Sequence, residues 1–200
     1  MKYFLLFSIL FFNFLKADQL KEVLLIHSYH KGYAWTDDIS KTIEKTFSSN
    51  ENIELTTVYM DTKRIDDPSY LANLAKIYKQ QFAEREFDLI IISEILYYLS
   101  PNDIETVITW ITQNLTVGGT LLCCHWRYAI EGFVMTGETV HQRLNQAFNK
   151  VNNEVEPKQG QHIDTKNSAF THQSKIIDSD FLLDVWQYSS ESVAMQENLV

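Results

Sequence analysis

The residues of this chain whose types and places suit proton transfer near neutral pH are few and scattered. His125 stands in a His125-Trp126-Arg127 triplet, with His141 further on. An imidazole titrates close to neutrality and can serve as a general base. Glu94 and Tyr97 sit together just after an apolar run, and Asp61 follows another. His27 and His30 are three apart beside Tyr29 and Trp35, with no third ligand near them in sequence, so no metal site is expected. Cys123 and Cys124 are the only cysteines; adjacent residues of a strand point to opposite faces, so they read as small apolar residues, and a disulfide scaffold or four-cysteine zinc site is excluded. The six glycines fit neither G-x-G-x-x-G nor G-x-x-x-x-G-K-[ST], so neither standard phosphate-cradling loop is present. A net charge of −9 argues against a nucleic-acid partner, which requires a basic face.

The elements that must position these groups alternate. Residues 23–27 (VLLIH), 53–60, 87–92 and 120–126 read as strands. Between them, 37–47 carries Ile39, Ile43 and Phe47 at helical spacing, with Thr36 or Asp37 as cap. Residues 68–83 form a second helix capped by Asp67 with Pro68 at its first position, and 101–115 a third capped by Ser100. A further helix is expected over 139–148, an irregular linker over 149–175, and a last strand over 180–187 returning to the sheet edge. The series predicts an α/β fold: a Rossmann-like, doubly wound, mostly parallel sheet, incomplete, with helices on both faces. Forty-five per cent apolar residues suffice to bury its core.

Before the first strand, Lys2 precedes an apolar stretch over 3–15, then Lys16-Ala17. This has the form of an export leader cut after Ala17, too short to span a bilayer. A buried N-terminal element is the alternative.

Three strings, HSYHKGYAWTDDI (27–39), VYMDTKRIDDPSYL (58–71) and FDLIIIS (87–93), resemble periplasmic ligand-binding sensor domains related to ABC-transporter substrate-binding proteins. That resemblance covers 1–93. It implies a ligand site beyond the strand ends, with His27, Tyr29, His30 and Trp35 as binding residues and a periplasmic or secreted location. The family's second lobe is missing. A different resemblance begins at FDLIIISEILYYLSPNDIETVITWITQNLTVGGTLLCCHWR (87–127) and continues through GETVH (137–141) and DFLLDVW (180–186). These strings are similar to the C-terminal half of class I S-adenosylmethionine-dependent methyltransferases, in particular the NodS-like group associated with N-methylation of an amino-sugar oligosaccharide.

The two resemblances overlap at 87–93, and the chain reads as a chimera. A leader over 1–17 and a sensor-like half over 18–93 precede a methyltransferase-like half over 88–148, the linker, and a C-terminal strand and tail over 176–200. The methyltransferase resemblance implies S-adenosylmethionine as cofactor, with Asp61, Glu94 and Tyr97 lining its site, His125 as base toward an ammonium acceptor, and Trp126, Arg127 and His141 around that acceptor. It also implies a cytoplasmic location. The first turn, however, is His27-Ser28-Tyr29-His30-Lys31-Gly32, where the family has glycines that let backbone approach the donor. Donor binding is therefore expected to be weak or lost. The alternatives are an exported module binding a small molecule or oligosaccharide, with no membrane span after cleavage, and a fusion without activity.

Overall fold

A computed structural model describes residues 20–65, 67–133, 135–153 and 169–189. The expected leader and the tail after 189 lie outside the described residues. The elements run β1 (Lys21–His27), α1 (Ala34–Phe47), β2 (Ile53–Tyr59), α2 (Pro68–Gln81), β3 (Phe87–Ser93), a 3-10 turn (Leu96–Tyr98), α3 (Pro101–Asn114), β4 (Leu115–Trp126), α4 (Gly137–Asn153), β5 (Ala169–Ile177) and β6 (Phe181–Ser189).

They build one six-stranded sheet in the order β2-β1-β3-β4-β6-β5. The first four strands are parallel, and β6 runs antiparallel between β4 and β5. The fold is thus the expected Rossmann-like, mostly parallel α/β sheet. The chain leaves β1 toward β2, then crosses back to place β3 on the other side of β1. The switch of direction opens a crevice at the carboxyl ends of β1 and β3, where ligands of such sheets bind. β3 pairs with β1 on one side and β4 on the other, so the overlap segment 87–93 sits inside the sheet.

Alternation in β1 divides the core. Leu24 faces a large cluster that also holds Phe82, Ile104, Ile108, Ile111, Val140, Leu144 and Phe148, so α2, α3 and α4 cover that face. Val23 and Leu25 face the other way, onto Ile43 and Phe47 of α1. Fully burying one such aliphatic side chain contributes about 1.5–3 kcal/mol. Helix starts follow local chemistry. Asp67 accepts from the Ser69 amide with Pro68 at the first position, and Ser100 with Asp103 forms a reciprocal capping box.

Three expectations are corrected. α1 begins at Ala34, ahead of both expected caps, because Asp37 reaches back to accept from the Gly32 amide, 2.9 Å away, while Thr36 is buried in the first turn. β4 begins at Leu115, with Gly118-Gly119 inside it. Within the expected linker, 169–175 belongs to β5, a polar edge strand whose exposed Gln173 and Lys175 hid its pairing partner from sequence inspection. As a result β6 lies inside the sheet, not at its edge. No helix among the described residues is long and apolar enough to cross a membrane.

Candidate functional site

The strand-end loops are tied into one layer. The Met60 amide donates to His27 O, Thr62 donates through its amide and hydroxyl to Ser28 O, the Ser28 amide donates to Ser93 O, and the Glu94 amide donates to Cys124 O. Above this layer lies a pocket of about 350 Å³ lined by Tyr29, Tyr33, Trp35, Glu94, Tyr97, Trp126, Ile130 and Phe181. The first three come from the β1–α1 loop and the first turn of α1, the rest from elements after β3 and β4 and from β6. Both halves of the sequence therefore contribute walls. A larger hollow of about 480 Å³ between α4 and β5–β6 is walled mainly by side-chain amides and holds no buried ionisable group.

The pocket is aromatic. Trp35 stacks on Phe181 with centroids 4.5 Å apart, Phe181 meets Trp126 edge-on at 5.6 Å, and Tyr29 meets Tyr33 edge-on at 5.0 Å. Such pairs fix ring orientation as well as burying area. Its one carboxylate is Glu94, only 4% exposed. The Tyr97 hydroxyl donates to Glu94 Oε2 at 2.6 Å, and Oε1 has no hydrogen-bond partner. Burial pushes the Glu94 carboxyl up to about 7, against the lowering effect of the Tyr97 hydroxyl and the Trp126 amide. Burial also raises Tyr97 and Tyr98, helped by the neighbouring carboxylate and Tyr29. Glu94 and Asp61 both have positive φ, 62° and 55°, at the first residue after β3 and the second after β2.

The remaining expected site residues are placed elsewhere. His27 is buried and does not line the pocket, its Nε2 2.9 Å from Ser40 Oγ and its ring stacked on Tyr59; burial lowers it to about 4, with Asp37 opposing. Asp61 is engaged by Arg64 through Nε, at 2.8 Å, and Nη2, and His30 Nδ1 lies 3.5 Å from it. The Arg64 hydrogen bonds hold its carboxyl below the usual range. Arg127 clips the β5–β6 turn, donating to Asp178 O and to Glu138, and does not line the pocket.

His125 and His141 are both buried, and both belong to a chain of hydrogen bonds whose proton positions are fixed from one end. The Leu96 amide donates to His125 Nε2 at 3.2 Å, so that nitrogen is the acceptor. His125 Nδ1 then donates to His141 Nε2 at 2.9 Å, and His141 Nδ1 donates to Asp184 Oδ2 at 2.6 Å. His172 Nε2, on the edge strand, donates to Asp184 Oδ1 at 2.5 Å. Burial and His141 hold His125 well below its ordinary pKa. With both ring nitrogens bonded and no surface exposed, His125 offers no lone pair to an acceptor in the pocket. Its geometry is that of a positioning residue that anchors the Leu96–Tyr98 turn, and through it Tyr97.

Sequence inspection missed Ile130 and Phe181 in the pocket wall and Asp184 and His172 in the buried chain. Asp184 had a readable signal: a carboxylate at the inward phase of the strand FLLDVW, where an unpaired charge is costly. Among the described residues no group of His, Cys, Asp and Glu is arranged to hold a metal ion.

No protein-family model matches the chain, and no curated protein matches it. Solved structures do. The N-methyltransferase NodS from Bradyrhizobium japonicum WM9 is similar at 20% identity and a TM-score of 0.48, over 86% of this chain and 87% of that one. The 1,6-didemethyltoxoflavin-N1-methyltransferase of Burkholderia thailandensis, solved with its substrate and S-adenosylhomocysteine, is similar at 14% identity and a TM-score of 0.45, over 84% of this chain and 71% of that one. Haemonchus contortus phospholethanolamine N-methyltransferase 2 is similar at 12% identity and a TM-score of 0.48, over 92% of this chain but 36% of that one. In these three the identity is 20% or less and the TM-score below 0.5.

Proposed function

We propose that this chain is a methyltransferase-like protein, of the NodS-like type associated with N-methylation of amino-sugar oligosaccharides, whose methyl-donor site is lost, and that its strand-end pocket binds a small organic ligand. One observation carries the reading: the groups that would grip S-adenosylmethionine are already taken. The Gly32 amide donates to Asp37. The Asp61 carboxylate, placed to accept from ribose hydroxyls, is clamped by Arg64. The turn after β1 that holds Gly32 carries Tyr29, His30 and Tyr33, whose rings pack on one another. The residues present do not fit the donor.

Calorimetry on the full chain tests this. S-adenosylmethionine and S-adenosylhomocysteine are expected to give no micromolar binding. Micromolar affinity with transfer of a methyl group to an amino-sugar oligosaccharide would restore an active enzyme, with a cytoplasmic location.

A second reading is favoured by the origin of three pocket rings, Tyr29, Tyr33 and Trp35, in the sensor-like half. Under it the chain is an exported small-ligand sensor module, a chimera in ancestry. It requires that the leader be cut and the mature chain leave the cytoplasm, which fractionation and N-terminal sequencing would read. Under either reading the partner is a small molecule or sugar, and the net charge of −9 gives nucleic acid no attraction.

A further inference from the structure

We infer that the pocket is a site for a compact organic cation, an alkylated ammonium head group held between the aromatic rings and Glu94; this rests on the small-ligand reading above. The rings supply the first half of the chemistry. Tyr29, Tyr33, Trp35, Tyr97, Trp126 and Phe181 all line a space of about 350 Å³. The negative face of an aromatic ring attracts a cation within about 6 Å, and a set of such rings is how quaternary ammonium groups are recognised. At the rim, Lys63 Nζ donates to the Tyr33 hydroxyl at 2.7 Å and lies 4.3 Å from the Tyr33 centroid and 5.1 Å from that of Tyr29, so a cation is already held beside these two rings. Lys63 is itself exposed, so water screens its repulsion of a second cation.

Glu94 supplies the other half. Glu94 lines the pocket, and its Oε1 is buried with no hydrogen-bond partner. Among the described residues no cation pairs with it, and the titratable groups that face it are acids themselves: Tyr97 and Tyr98 on the 3-10 turn and Cys124 on β4. A buried carboxylate that one phenol satisfies at a single oxygen and no cation pairs with is costly to ionise, and an organic cation in the pocket would compensate that cost. A neutral or anionic ligand would not. Phosphate and carboxylate head groups are disfavoured because they would face Glu94.

The probes are choline, tetramethylammonium and 3,3-dimethylbutan-1-ol, the neutral isostere of choline, titrated into the full chain by calorimetry at pH 8, where Glu94 is ionised. Choline and tetramethylammonium are expected to bind and the isostere is not. Glu94→Gln, which keeps the shape and removes the charge, is expected to weaken choline by about tenfold, the scale of a lost charge-assisted contact. Trp35→Leu at the exposed rim is expected to weaken it by about threefold to tenfold, the scale of one cation–π face. Thermal melts of both variants check that the fold is retained. Equal binding of choline and the isostere, no binding of either cation, or a Glu94→Gln variant with unchanged affinity overturns the inference. S-adenosylmethionine is the control arm, because a sulfonium is a cation of the same kind. If it binds at micromolar level and is displaced by choline, the onium site stands and the lost-donor reading falls.

Discussion

Asp184 is where the buried hydrogen-bond chain ends, and replacing it separates the cost of a lost acceptor from the cost of a lost charge. The carboxylate is 0% exposed and accepts from His141 at 2.6 Å and His172 at 2.5 Å. In Asp184→Ala the Nδ1–H of His141 loses its partner. That ring cannot respond by switching tautomer. A proton on His141 Nε2 would face the proton on His125 Nδ1, and moving that one to Nε2 would face the Leu96 amide. The orphaned donor stays buried, and a buried N–H left without an acceptor costs about 1–3 kcal/mol. In Asp184→Asn the amide oxygen still accepts from His141, and its NH2 donates to His172. That side chain is 38% exposed and free to present its unprotonated Nε2. What is lost there is the charge assistance, about 1–1.5 kcal/mol. For a domain of this size about 2–4 °C of Tm accompanies each kcal/mol. The alanine variant should therefore melt roughly 2–12 °C below the parent and the asparagine variant less far below it, roughly 2–6 °C, read by circular dichroism at pH 7. Equal losses in the two variants would refute the locked-tautomer argument, and an alanine loss below about 1 kcal/mol would refute the chain itself.

Two further outcomes are expected. The pH dependence of stability follows from three buried groups. His27 titrates at about 4 when folded and 6.5 when not, and His125 is shifted the same way, so acid below 6.5 favours the unfolded chain through both. Glu94 keeps its proton up to about 7 when folded but only to 4.5 when not, so alkali above 4.5 favours the unfolded chain through it. From pH 4.5 to 6.5 two groups oppose one, and stability rises by up to about 1.4 kcal/mol per unit, a ceiling that solvent screening lowers. Just above 6.5 Glu94 acts alone and stability declines. Urea melts of the parent should peak near pH 6.5, whereas Glu94→Gln should show a steeper rise and no decline; a parent profile flat from 5 to 7.5 would contradict this. At Gly137, a Cβ would stand 2.1 Å from Trp126 O, in the approach of α4 to the end of β4. Gly137→Ala should cost about 1–3 kcal/mol in urea melts, the scale of overpacking, despite the better helix propensity of alanine.

The sheet was legible because its strands are written as apolar runs. VLLIH and FDLIIIS are buried in the parallel interior, and helices between them carry caps, Asp67 and Ser100, that the fold uses as such. The antiparallel end was harder. β5 reads T-H-Q-S-K because one side of an edge strand meets water, and only its register with β6 makes it a strand. Tyr29, Trp35, Glu94, Tyr97 and Trp126 were legible as residues at strand ends, and they share one pocket. Their division into cofactor, acceptor and alternative ligand sets was not readable, since side chains distant in sequence meet only through the strand order. His125 and His141 misled for a physical reason. A histidine after a strand advertises base chemistry, but whether its nitrogens are free depends on Leu96 and Asp184, from other elements.

Glu94 concentrates two costs at one position, and that concentration is itself informative. Its φ of 62° is a conformation that disfavours a side chain with a Cβ by about 1–2 kcal/mol. Its carboxylate is desolvated, with Oε1 unpartnered. Strain of this kind persists where surrounding structure over-determines it, and it gathers at ligand sites. Here the Glu94 amide, donating to Cys124 O, holds the backbone, and Tyr97 holds the side chain. Glu94→Gly should relieve both costs, and water entering the pocket can take over the Tyr97 hydroxyl. Glu94→Gln should relieve only the charge. At pH 8 both variants should be more stable than the parent in urea melts, the glycine variant above the glutamine variant by about 1 kcal/mol of released backbone strain. At pH 4, below the pKa of the carboxyl in both the folded and the unfolded chain, the glutamine variant should match the parent and the glycine variant should retain its margin. A glycine variant no more stable than the glutamine one at either pH would mean that the backbone at 94 carries no strain, and that the side chain's aim into the pocket costs the fold nothing to maintain.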